Sequence, residues 1–195
     1  MAEKMMKTIF DWEHFAIYLA GAMDFANDGG KGWRDRWTEK LVDIGITQKQ
    51  IYNPCKKPFN GVQFNLDNEA QIWKECRETE NWELMEETAS QIMHIDLRLV
   101  EKSDIVLVNF PRMDNGFRVP TYGTIHEIVF ANQCKKPIFI VWEKTGKKDC
   151  SAWIMKLVGH KNIFTHEDEL IQHLNAISHG EKAFDANEWL LLDPK

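Results

Sequence analysis

The segment Thr121-Tyr122-Gly123-Thr124-Ile125-His126-Glu127-Ile128 has the densest chemical content of the chain. It follows a loop containing Asn115-Gly116 and Pro120, and Gly123-Thr124 is expected to open a helix. Free backbone N–H groups at a helix start attract anions, phosphate among them. Glu127 falls in the first turn of that expected helix, with its carboxylate turned back toward the loop mouth. Taken alone, an acid there only complements the helix dipole. A second carboxylate, Asp96, precedes Asp104 by eight residues, in a helix that feeds the following strand. By itself it reads as a surface acid paired with Arg98 or Lys102. The third feature is Tyr18-Leu19-Ala20-Gly21-Ala22-Met23, where a strand runs straight into a glycine-containing loop. One glycine is a weak signal beside a full G-x-G-x-x-G, which the chain lacks.

These residues need a scaffold, and the hydrophobic pattern supplies one. Apolar runs at residues 15–20, 105–110 and 137–142 read as buried parallel strands, with a shorter strand at Ile51-Tyr52. Helical spacing is predicted over residues 32–44, with Gly45 as its stop, and over 84–102, 124–133 and 167–177. In the 124–133 helix Ile125, Ile128, Val129 and Ala131 are expected to pack on the sheet, and Thr165 or His166 is expected to cap the last helix. Alternation of strand and helix predicts an α/β fold: a doubly wound, Rossmann-like or flavodoxin-like, mostly parallel sheet with helices on both faces. Ligands in such sheets sit outside the carboxyl ends of the strands. The site is therefore expected after Gly21, after Asn109 and after Trp142. Residues 53–81 read as a long connection with one short helix near 68–77, the kind of segment that forms a lid or binding loop.

With 24 Lys and Arg against 30 Asp and Glu, the formal charge of −6 argues against a nucleic-acid polymer as partner and is compatible with a mononucleotide. Cys55, Cys76, Cys134 and Cys150 form no C-x-x-C pair and no histidine cluster has metal-ligand spacing, so no metal is expected. Thiols without pairing motifs, and no signal-like start, predict a cytoplasmic protein. No apolar run approaches membrane-spanning length. Residues 1–14 read as a lead-in, 15–178 as one domain and 179–195 as a tail ending in Trp189-Leu190-Leu191-Leu192.

Taken in order, the three segments resemble the nucleoside 2-deoxyribosyltransferase superfamily, including its branch of 5′-monophosphate N-glycosidases. The shared marks are Tyr18 to Gly21 at the end of the first strand, Asp96 ahead of Ser103-Asp104, and Gly123 to Glu127 opening a helix. The resemblance covers residues 15–154. It implies that Glu127 is the nucleophile toward the anomeric carbon, forming a glycosyl-enzyme, that Asp96 helps protonate the departing base, and that Tyr18 stands beside the nucleophile. It further implies that Gly21, Ala22 and Met23 wrap the sugar and base; Asn109, near a strand's carboxyl end, and Gly123, at the helix opening, are the other expected binding residues. Such a reaction passes through an oxocarbenium-like centre that one carboxylate stabilises while another handles the proton. Trp33, Trp73 and Trp82 are candidates for keeping the pocket dry, although each also suits core or lid packing.

Thr121, six residues before Glu127, resembles the small hydroxyl residue of the monophosphate hydrolases, where free-nucleoside transferases tend to carry Asp. A hydroxyl beside a helix start donates to phosphate, whereas a carboxylate repels it. Ser151, in Ser151-Ala152-Trp153-Ile154, resembles a hydrolase serine that reaches a neighbouring subunit's phosphate. The expected activity is cleavage of a (deoxy)nucleoside 5′-monophosphate by a homodimer or larger homo-oligomer, with no cofactor. The alternatives are base exchange through the same intermediate and a non-catalytic nucleotide- or ADP-ribose-binding module.

Overall fold

The computed structural model describes residues 12–24, 26–56, 69–111, 121–144 and 146–182. Five strands form one sheet in the order β2-β1-β3-β4-β5, all neighbours parallel: β1 (Ile17–Gly21), β2 (Ile51–Tyr52), β3 (Ile105–Phe110), β4 (Ile138–Trp142) and β5 (Ile163–Phe164). The helices between them are α1 (Lys31–Asp43), α2 (Glu69–Thr79), α3 (Trp82–Lys102), α4 (Tyr122–Gln133), α5 (Ala152–Val158) and α6 (Glu167–Ser178). The expected α/β, doubly wound sheet is present. Its strand order is the flavodoxin-like one, whose switch point lies between β1 and β3.

Every residue of β1, β3 and β4 is buried, because helices cover both faces. Alternate residues feed two cores, as the strand period of two requires. On one face Ile17, Leu19, Leu107, Phe139 and Val141 meet Trp33, Trp37 and Leu41 of α1 and Leu170 and Leu174 of α6. On the other Tyr18, Ala20, Val106, Val108 and Ile140 meet Leu99 and Val100 of α3, Ile128 and Ala131 of α4 and Ile154 of α5. Trp37 Nε1 donates to Glu167 Oε2 at 2.8 Å and Lys40 Nζ to Glu167 Oε1 at 2.7 Å, tying α1 to α6. Gly45, at φ 100°, follows α1 in a conformation that a side chain would strain, which is why the helix stops there.

Several sequence expectations shift. α4 starts at Tyr122, two residues earlier than predicted, and Ile125 faces solvent while Val129 is half-buried. The cap of α6 is His166, but neither it nor Thr165 caps with its side chain; instead the Thr165 N–H donates to Glu169 Oε2 at 3.0 Å. β5 and α5 carry no period long enough to be read from sequence and were not predicted. The loop at 112–120, residues 57–68 of the 53–81 connection and the apolar end of the tail lie outside the described residues; the short helix expected near 68–77 is α2.

Candidate active site

Tyr18 is the second residue of β1, and its buried side chain packs on the sheet face that α3 and α4 cover. The Tyr18 hydroxyl donates to Glu127 Oε1 at 2.5 Å, although 109 residues separate the two in the chain. Tyr18 is fully buried and Glu127 is 9% exposed. Burial first, then the negative charges of Asp96 and Glu127 and the hydrogen bond to Glu127, push the Tyr18 phenol well above its ordinary pKa; Arg34 opposes them. The phenol therefore stays protonated and donates. Asp96 and Glu127 thus both act on the same phenol.

Asp96 is 8% exposed on α3, and the surface pairing with Arg98 does not form, since Arg98 pairs with Glu101. Asp96 and Glu127 open onto one cavity of about 390 Å³, whose walls include Gly21, Ala22, Met23, Thr121 and Gly123. Glu127 belongs to the second turn of α4 and not to its first, because the helix begins at Tyr122 with Thr121 as its cap residue. The cap moves the helix start closer to Thr121, and that residue still reaches the cavity wall.

Two predicted binding residues are elsewhere. Asn109 stands opposite Gly21 in the β1–β3 register, is 2% exposed and is not part of the cavity wall. Among the described residues its Oδ1 has no hydrogen-bond partner. Ser151 is exposed at the start of α5, where its Oγ accepts from Trp153 N at 3.3 Å. Of the three tryptophans considered for the pocket, only Trp73 lines it; Trp33 packs under Gly21 and Trp82 is 58% exposed.

The close approach at Gly21 is tight. A Cβ there would stand 2.5 Å from Trp33 Cζ2 and 3.0 Å from the Asn109 carbonyl oxygen. Behind the loop lies a residue that sequence reasoning missed. Arg34 is 1% exposed; its Nε donates to the Leu19 carbonyl at 3.1 Å, Nη2 to Gly21 at 2.8 Å and Nη1 to Gly30 at 2.8 Å. β2 pairs with β1 only at Ile17 and Tyr18, so the guanidinium takes carbonyls beyond the end of the short neighbour. An arginine in a polar helix segment gives no hint of this from spacing alone. Asp28 fixes the next part of the loop by accepting from Gly30 N and Gly32 N, each at 2.8 Å. Burial works against its charge, but these N–H groups prevail and hold its pKa below the ordinary value.

Sequence also gave no warning of Ala89, Met93 or His126 on the cavity wall, since each depends on how α3 and α4 face each other, nor of Asp24, which the loop after β1 brings there. Among the described residues, no group of three His, Cys, Asp or Glu side chains could hold a metal ion. No described helix is long and apolar enough to cross a membrane.

A family model described as nucleoside 2-deoxyribosyltransferase matches residues 17–174. The chain belongs to the nucleoside 2-deoxyribosyltransferase family. As a member of the nucleoside 2-deoxyribosyltransferase family it is an enzyme acting on N-glycosyl bonds. Among solved structures it is similar to a 2-deoxyribosyltransferase of the psychrotolerant bacterium Bacillus psychrosaccharolyticus, with 17% identity, 73% of this chain and 82% of that one covered, and a TM-score of 0.45. It is also similar to the CMP N-glycosidase of Clostridium botulinum, with 17% identity, 82% and 97% covered, and a TM-score of 0.40. Comparison with curated proteins gave no match.

Proposed function

We propose that the protein cleaves the N-glycosidic bond of a (deoxy)nucleoside 5′-monophosphate and releases the free base. The observation that carries this reading is the Tyr18–Glu127 hydrogen bond at the wall of a cavity that Asp96 shares. In the reaction, a Glu127 carboxylate oxygen bonds to C1′ while the C1′–N bond breaks and Asp96 gives its proton to the leaving base. Water, deprotonated by Asp96, then displaces Glu127 and regenerates both groups. Tyr18 holds the nucleophile in line and never gives up its proton. Thr121 and the first N–H groups of α4 receive the phosphate, and Gly21, Ala22, Met23 and Gly123 border the sugar.

Base exchange is the second reading. The family match favours it, since a second base in place of water would use the same intermediate. Association into a homodimer is supported by Tyr122 and Trp153, 83% and 82% exposed, and it would give Ser151 its place in a neighbour's site. None of the four cysteines is in a disulfide, which supports a cytoplasmic setting.

The test is a chromatographic screen of nucleoside and deoxynucleoside monophosphates for released base, with and without a second free base. Release of base that Glu127→Gln abolishes supports the proposal. An exchanged nucleotide as the main product establishes transfer, and no product from any substrate refutes both readings.

A further inference from the structure

A second cavity opens at the other end of the sheet. The catalytic cavity begins at Gly21, the last residue of β1, whereas this one meets Ile138, the first residue of β4, and the turns that end α4 and α5. The 12 residues of α4, about 18 Å of helix, run from one to the other. Its volume is about 620 Å³, within the roughly 300–1,000 Å³ of small-molecule sites. Lys135, Lys136, Lys156 and His160 stand in its wall, and no described Asp or Glu does. Among the described residues none of these four side chains has an ion pair. Lys136 Nζ donates to the Ser103 carbonyl at 2.5 Å, a neutral partner that leaves its charge uncompensated.

Lysines at helix ends ordinarily offset the helix dipole, so the balance of charge decides. The ends of α4 and α5 carry roughly half a negative charge each, against three lysines, and about two positive charges are left over. The backbone carries a second indication. α4 ends in a Schellman turn, with Lys136 N–H donating to the Ala131 carbonyl at 2.9 Å and Lys135 N–H to that of Asn132 at 3.0 Å. The left-handed position of this turn is held by Lys135, at φ 57°, where glycine would sit without strain. α5, beside it, stops at such a glycine, Gly159, at φ 84°. The walls are tied together: Asn132 Nδ2 crosses from α4 to the Leu157 carbonyl at 2.8 Å, and Asn162 Nδ2 donates to that of Val158 at 3.1 Å. Met155 and Leu157, both half-buried, add an apolar surface to the cationic one.

We propose that this cavity is a second, non-catalytic binding site for a nucleoside triphosphate, with the phosphates on Lys135, Lys136 and Lys156 and the base against Met155 and Leu157. Excess positive charge in a concave wall focuses the field on a multiply charged anion. A bare polyphosphate would leave the apolar surface wet, whereas a nucleoside covers it. The two cavities share no residue, so the inference stands apart from the glycosidase reading.

For the test, ATP, CTP, adenosine and inorganic tripolyphosphate are titrated into the full chain by calorimetry, without divalent cations and at low and high salt. The triphosphates are expected to bind about tenfold more tightly than tripolyphosphate, to weaken as salt rises, and to leave adenosine without measurable affinity. Lys135→Glu and Lys156→Glu should each weaken the triphosphates about tenfold. Lys135→Gly should weaken them too while keeping or raising the melting temperature, because glycine relaxes the turn. A lower melting temperature with unchanged affinity would make the lysine a helix cap only and overturn the proposal. Thr121→Asp should leave this binding intact; binding lost there and kept in the lysine variants belongs to the catalytic cavity and overturns it. So does absence of binding by both triphosphates, tripolyphosphate binding equal to theirs, or tighter binding of a short single-stranded oligonucleotide.

Discussion

Tyr18 Oη and Glu127 Oε1 lie 2.5 Å apart, joining the second residue of β1 to the second turn of α4, and solvent barely reaches either residue. A phenol that stays protonated beside a carboxylate favours the carboxylate's charged form, so the bond bears on both position and ionisation. Tyr18→Phe keeps the ring and deletes the donor. The expected kcat is lower by about tenfold to a hundredfold, the scale of a hydrogen bond to a charged group. The acidic limb of the kcat profile should move to higher pH. An unshifted profile with unchanged kcat would remove Tyr18 from the mechanism.

Thr121→Asp tests the phosphate assignment. A carboxylate at the cavity wall repels a phosphate dianion and leaves a neutral 5′-hydroxyl unopposed. We expect kcat/KM for monophosphates to fall far more than for the matching nucleosides. A parallel loss for both would move the phosphate elsewhere.

Arg34→Gln and Arg34→Lys address the loop behind the site. Both remove donors from the Leu19, Gly21 and Gly30 carbonyls, which are held within the fold. Each should lower stability by about 2–4 kcal/mol in urea titration, with lysine no substitute for the guanidinium fork. Stability equal to that of the unmutated protein would show that solvent or neighbouring groups replace it.

Much of this was legible from sequence, and the exceptions have causes. Continuous apolar runs located β1, β3 and β4, since a strand covered on both faces needs no polar alternation. The ordered motifs point to Tyr18, Asp96 and Glu127. β5, Ile163–Phe164, had no expectation in the sequence. Asn109 was expected in the pocket because it lies near the carboxyl end of a strand, but its place against Gly21 turns on packing across the β1–β3 pair. Arg34 was missed for a related reason: its partners are backbone carbonyls, which sequence does not distinguish.

Gly21→Ala should be costly. The new methyl group meets the ring of a buried tryptophan, Trp33, on one side and backbone on the other. Overpacking of this kind costs about 1–3 kcal/mol, and Trp33→Phe in the same chain should recover part of it. Chemical denaturation of the single and double variants measures both effects.

His173 sets an acid sensitivity remote from the site. It packs against Phe139 and Phe164 at centroid distances of 5.6 and 5.1 Å. Burial, with Lys182 adding to it, lowers its pKa from 6.5 to about 4. The unfolded chain therefore binds a proton that the fold refuses, and stability is lost as pH falls from 6.5 toward 4. For this half-buried ring the loss should be about 1–2 kcal/mol after solvent screening. His173→Phe should flatten that part of the stability profile, measured as urea midpoints across the window; an identical slope would assign the sensitivity to other groups.

The two outermost strands, β2 and β5, are each two residues long. A margin that short offers few unpaired backbone groups on which a foreign strand could zip up, and at β1 the Arg34 side chain occupies acceptors that such an intruder would need. The molecule thereby keeps its central strands long enough to carry chemistry while denying its borders to amyloid-like extension.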